Sequence, residues 1–196
     1  MIVNRIENAI IFATKAHNGQ FRKKTKIPYI THPFMVACLL MKEQCSEEVI
    51  IAGLLHDLVE DTPVTLQQIE AEFGKKVAGI VSACTEPDGR LTWEERKEST
   101  IQKLRNAPEE VKYVACADKL HNISSMIADY QKCGDRLWKR FHRGYDKQQW
   151  YYRSMVKSLF YGLDHVAPGS LFYRFRDKVE ELFGLDEDEL MKEKKL

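Results

Sequence analysis

The segment Val49-Ile-Ile-Ala-Gly-Leu-Leu-His-Asp57 limits what this chain can fold into more than any other. Seven consecutive residues without a polar side chain leave a helix no solvent-facing side. The helix that carries them therefore belongs in the middle of a bundle. Ser46 can cap its start, and the pattern predicts a helix from Glu47 to about Val59. An ionisable pair, His56-Asp57, ends the run, with Glu60 and Asp61 close behind. Burying such groups is costly unless they are paired or held on a cation. At helical spacing His56 and Glu60 are four residues apart, as are Asp57 and Asp61, so the group is expected to form two adjacent columns pointing to one side. Imidazole and carboxylate donors so placed can bind one divalent ion once other segments complete the set. The alternative, a solvated acidic turn at a helix end, accounts for Glu60 and Asp61 but poorly for His56-Asp57 behind an apolar run.

The rest of the chain is patterned for helices as well. Ile6, Ala9, Ile10 and Ala13 recur at three and four residues, predicting a helix over 4–16 that closes near Gly19. Pro33 to Met41 reads as a short apolar helix. Thr65 with Gln68, and Thr92 with Glu95, have the spacing of capping boxes. Pro108 fits the first position of a helix that runs through VKYVACADKLHNISSMIA. Two more helices are expected over 138–161 and 171–183. No alternating apolar run suggests a strand. The expectation is an all-α fold, one domain over 1–196, built as a bundle of about eight to ten helices. Its chemistry-bearing motifs fall in 17–122, its helical C-terminal part in 136–184 and a lysine-rich frayed tail in 186–196.

Composition narrows the partners. Lys and Arg number 30 against 29 Asp and Glu, a net charge of +1, so no broad basic surface awaits a nucleic acid polymer or an anionic membrane. Ile30 to Met41, among the longest stretches without a charge, has 12 residues and is too short to span a bilayer. The N-terminal residues acquire Arg5 and Glu7 early and form no apolar signal core. Five cysteines with no CxxC pair read as reduced thiols of a cytoplasmic protein.

A second buried charge is expected at Asp118, which follows Val-Ala-Cys-Ala well inside a helix and so cannot be an N-cap. A metal ion would satisfy it. Asn122 lies four residues on, along the same face. His32, just before Pro33, is either a packed or capping histidine or a ligand, and the His-Asp pair with Asp118 favours the ligand. Arg22-Lys23-Lys24-Thr25-Lys26 supplies cations for a phosphorylated substrate, or is a solvated basic loop. The stretch from Trp138 to Arg153 mixes aromatic and basic residues. It can close over a base and phosphates through Arg143 and Lys147, or pack its aromatics inward and leave its bases in water. Trp93 and the run Leu171–Phe183 read as packing surface or as the self-association face of a homo-oligomer.

Four motifs then occur in order: His17-x-Gly-Gln-x-Arg22-Lys23, Pro28-Tyr-x-x-His32-Pro33, Leu54-Leu-His56-Asp57-x-Val-Glu60-Asp61-Thr62, and Ala117-Asp118-Lys-Leu-His121-Asn122. Together they resemble the HD-domain hydrolases of the Rel/SpoT type, and especially the small alarmone hydrolases. The resemblance covers roughly residues 1–130 well and the remainder loosely. It implies an all-helical HD fold with one Mn²⁺, or another divalent ion, held by His32, His56, Asp57 and Asp118. It implies that Glu60 and Asp61 position or activate the attacking water. Arg22 and Lys23 match basic residues at the nucleotide, and Asn122 a substrate-binding position. The implied reaction removes pyrophosphate from the 3′ position of ppGpp or pppGpp. His17 is expected to order the loop after it, and His121, beside the ligand helix, to support a ligand. Two departures bear on the nucleotide. Ser124 stands where the family carries an arginine, so the planar fork that grips phosphate is missing. The loop between Arg22 and His32 is one residue longer than is common. An HD phosphatase for another nucleotide or dinucleotide phosphate stays open, as does a nucleotide sensor without turnover, although a sensor has no need of Glu60 and Asp61.

Overall fold

A computed structural model describes residues 5–86, 91–165, 167 and 170–185. The tail expected over 186–196 lies outside the described residues. Among those described, ten α-helices and one 3₁₀ segment appear, and the one bridge, Phe21 with Pro28, closes the basic loop. The helices are α1 (Arg5–Ala16), α2 (Thr31–Lys42), α3 (Glu47–Leu55), α4 (Leu58–Asp61) and α5 (Leu66–Phe73). Then come α6 (Lys75–Cys84), α7 (Trp93–Arg105), α8 (Glu109–Cys133), the 3₁₀ segment Gly134–Arg140, α9 (Gly144–Phe160) and α10 (Leu171–Phe183). The all-α expectation holds. None of these helices is long and apolar enough to cross a membrane.

The apolar run does become the central helix. Every residue from Val49 to Leu55 is buried, and α3 packs on α1, α2, α6 and α8. Each large aliphatic side chain so buried contributes about 1.5–3 kcal/mol. The 25-residue α8 forms the other spine, against α2, α3, α6 and α10. Both expected capping boxes form, at Thr65 with Gln68 and at Thr92 with Glu95.

Three local expectations are corrected. The helix expected to reach Val59 stops at Leu55 and resumes at Leu58, because the His56 ring bonds the carbonyl of Gly53 and caps the last turn of α3. Ser46 has the extended backbone of an N-cap but makes no side-chain capping bond. The helix expected from Trp138 begins only at Gly144, where φ is +66°. Trp138 instead sits in the 3₁₀ segment, its ring packed against Tyr130, Tyr145 and Phe183.

Gly53 sets the approach of α2 to α3. A Cβ there would lie 2.4 Å from Leu40 Cδ1 and 3.3 Å from Val36 Cγ1, and both of those side chains are fully buried with nowhere to go. Gly53→Val is therefore expected to destabilise the fold by about 3 kcal/mol, the upper part of the overpacking range. Thermal unfolding checks this, and an unchanged melting temperature would show that α2 and α3 do not meet at this glycine.

Candidate active site

Three segments converge on one point. His32 enters from the first turn of α2, where Pro33 removes an N–H that no helical bond would use. His56 and Asp57 occupy the break between α3 and α4, and Asp118 projects from the middle of α8. His32, His56 and Asp118 are all buried, and each offers one ligand atom within 4.8 Å of the others. His32 Nε2 lies 3.1 Å from Asp118 Oδ1 and 3.5 Å from Asp57 Oδ2. His56 Nε2 lies 3.1 Å from Asp57 Oδ1 and 3.9 Å from Asp118 Oδ1. The expected set is thus assembled in space, with Asp57 beside the other three.

The chemistry of this arrangement calls for a cation. His56 Nδ1 donates to the Gly53 carbonyl at 2.8 Å, so in a neutral ring the lone pair resides on Nε2. That Nε2 is buried, has no hydrogen-bond partner, and faces two carboxylates. A lone pair aimed at anionic oxygens is repulsive until a proton or a metal ion lies between them. Burial disfavours the charged form of His56, but Asp57 and Asp118 outweigh it and raise its pKa to about 9. For His32 burial wins, and its pKa is lowered despite Asp118. Burial likewise opposes ionisation of Asp57 and Asp118. The charges of His56 on the first and of Lys119 on the second hold both below the usual carboxylate range. Two imidazoles and two ionised carboxylates are a donor set fit for a divalent ion.

The groups around the cluster are tied to it. Tyr29 donates to Asp57 Oδ2 at 2.5 Å. Asn122 Nδ2 donates to Asp118 Oδ1 at 2.5 Å, and Arg22 Nη2 donates to Asn122 Oδ1 at 3.1 Å, so the basic loop connects to the cluster through Asn122. Arg22 also lies over the Tyr29 ring. Lys23 is exposed on the same loop. Glu60 and Asp61 stand at the solvent-reaching rim. Glu60 Oε1 accepts the backbone N–H of Glu86 at 2.7 Å, so the interruption at Asp57 turns Glu60 toward the segment after α6. Asp61 keeps its four-residue relation to Asp57, its N–H bonding the Asp57 carbonyl at 2.9 Å. Crowding by protein, with the Asp57 charge added, raises the pKa of both acids. His17 bonds Gln20, which in turn bonds the Asp61 carbonyl and ties the basic loop to α4.

Three further residues are engaged within the protein. Arg143 and Lys147 both turn to Glu94 at the start of α7, at 3.0 and 3.7 Å. Ser124 gives its hydroxyl to the Leu120 carbonyl at 2.7 Å. Two contributors escaped the sequence. Lys119 pairs with Asp118 Oδ2 at 2.7 Å, although adjacent residues on a helix ordinarily diverge. Lys97 pairs with Glu86, which lines a pocket shared with His56, Glu60 and Lys119. A lysine directly after Asp118 in a largely apolar stretch was the available signal for Lys119; nothing local marked Lys97.

Residues 9–141 match the family model described as HD domain. The chain belongs to the HD-domain family. Within it, the chain is 36% identical to the guanosine-3′,5′-bis(diphosphate) 3′-pyrophosphohydrolase MESH1 of Xenopus tropicalis, over 88% of this chain and 94% of that protein. It is also 36% identical to the bifunctional (p)ppGpp synthase/hydrolase SpoT of Escherichia coli K12 over 63% of its own residues, a match that spans only 18% of SpoT. Among solved structures, lmo0812 of Listeria monocytogenes EGD-e superposes with a TM-score of 0.72 at 39% identity, covering 79% of this chain and 99% of that one. The metazoan SpoT ortholog, whose structure is described together with its hydrolysis of ppGpp, gives 0.75 at 26% identity over 92% and 97%.

Proposed function

We propose that this chain is a divalent-metal-dependent phosphohydrolase that removes the 3′-pyrophosphate from ppGpp or pppGpp, leaving GDP or GTP. The observation that carries this reading is the buried, unpartnered Nε2 of His56 facing Asp57 and Asp118, with Glu60 and Asp61 at the adjoining rim. The names borne by the MESH1 and SpoT relatives support the substrate. Five free cysteines suit a reducing cytoplasm, and the domain acts as one unit over 1–196.

His32, His56, Asp57 and Asp118 would hold the ion, Mn²⁺ being the proposed identity because the set mixes imidazole and carboxylate. A divalent ion there supplies positive charge that polarises a phosphate oxygen and acidifies water. Glu60 or Asp61 accepts the proton of the attacking water. The water oxygen bonds to the phosphorus on the 3′-oxygen, that P–O bond breaks, and the 3′-oxygen takes up a proton. Arg22 and Lys23 meet the nucleotide's negative charge, and Asn122, anchored on Asp118, orients it. Arg143 and Lys147 reach phosphates by leaving Glu94 as the substrate arrives.

A second reading has one observation in its favour. The Ser124 hydroxyl is spent on its own helix, so no fork grips a terminal phosphate from that position. A substrate with fewer phosphates would then be preferred. A screen of metals against nucleotides, with products identified, separates the two readings. Pyrophosphate from ppGpp supports the first, and orthophosphate from another nucleotide supports the second.

A further inference from the structure

We infer that His121 is a positioning residue that accepts the Nδ1 proton of His32, so that His32 Nε2 presents its lone pair to the ion. The inference rests on the metal reading above. His32 Nδ1 and His121 Nδ1 are 2.6 Å apart, and the two rings stack at 4.9 Å with 27° between their planes. Two ring nitrogens that close share one proton, so one ring donates and the other accepts. If His121 donates, the His32 proton resides on Nε2 and points at Asp118 Oδ1, 3.1 Å away, where it blocks ligation. If His32 donates, its Nε2 is bare and faces the ion.

The contrast with His56 shows why His121 matters. The Nδ1 partner of His56 is a backbone carbonyl, which can only accept, so the tautomer of His56 is fixed without further help. His32 has an imidazole partner instead, and it can ligate only while that partner accepts. The same helix, α8, therefore supplies both a ligand, Asp118, and the group that aims another ligand, three residues apart. Groups that orient ligating histidines in this way typically carry 10–100-fold in metal affinity.

The test compares His121→Phe with His121→Asn in the full chain stripped of metal. Phenylalanine keeps a stacked ring without an acceptor, and asparagine places Oδ1 where Nδ1 was. Mn²⁺ titration calorimetry at one fixed pH is expected to show affinity reduced about 10–100-fold in His121→Phe and largely recovered in His121→Asn. Thermal unfolding of the metal-free proteins is expected to leave both close to the parent. Equal affinity in His121→Phe and the parent would overturn the inference, as would an asparagine variant no better than the phenylalanine one. A parent that binds no divalent ion overturns the metal reading and this inference together. A parent that binds Mn²⁺ but leaves ppGpp intact overturns only the proposed substrate.

Discussion

Asp118→Asn is expected to strip the divalent ion from the purified protein and to lower turnover by at least ~1,000-fold, about 4 kcal/mol of barrier. The expectation follows from where Asp118 stands among its neighbours. Its Oδ1 stands 3.1 Å from His32 Nε2 and 3.9 Å from His56 Nε2, and in the proposed reading it is the ligand that α8 contributes. An amide keeps the shape but loses the charge that a hard cation needs. It also leaves the Lys119 ammonium, now paired at 2.7 Å, without its counter-ion. Removing one partner of a buried pair costs roughly 3–5 kcal/mol, discounted here because Lys119 keeps some access to water. Reduced thermal stability should therefore accompany the loss of metal. Elemental analysis with a melting curve checks both, and an Asp118→Asn protein that retained metal would contradict the ligand assignment.

Glu60→Gln is expected to separate chemistry from metal binding. Its carboxylate lies at the rim and, among the described residues, accepts the Glu86 N–H, which a glutamine carbonyl can also accept. Fold and metal content should both survive. What is lost is a group able to take a proton, and turnover is expected to drop ~100-fold or more while Mn²⁺ affinity stays near that of the parent. Asp61→Asn belongs in the same experiment, since either acid can serve. Full activity in both single variants and in the double variant would show that neither takes the proton.

What the sequence disclosed and what it concealed follow from the range of the interactions involved. The central α3 was legible because seven apolar residues admit no other placement. Asp118 was legible because a carboxylate inside Val-Ala-Cys-Ala must be paired. The convergence of His32, His56 and Asp118 could be expected only through the resemblance, since no local pattern states that α2 and α8 meet. The interruption at His56-Asp57 was hidden because one ring-to-carbonyl bond decides it. Tyr29 reaches Asp57 across 28 positions, and Arg143 reaches Glu94 across 49, and neither pairing leaves a trace in spacing. Lys119 was overlooked for the opposite reason. It is adjacent to Asp118, and helical geometry ordinarily sends neighbours apart, yet a flexible four-carbon stem can fold back onto the carboxylate.

The most direct test of the central claim is hydrolysis of ppGpp in ¹⁸O-labelled water with Mn²⁺, followed by mass analysis of both products. GDP and pyrophosphate are expected in equal amounts, with one labelled oxygen in pyrophosphate, none in GDP, and no reaction once a chelator has removed the ion. Intact ppGpp beside turnover of another nucleotide, or hydrolysis that persists without metal, would contradict it.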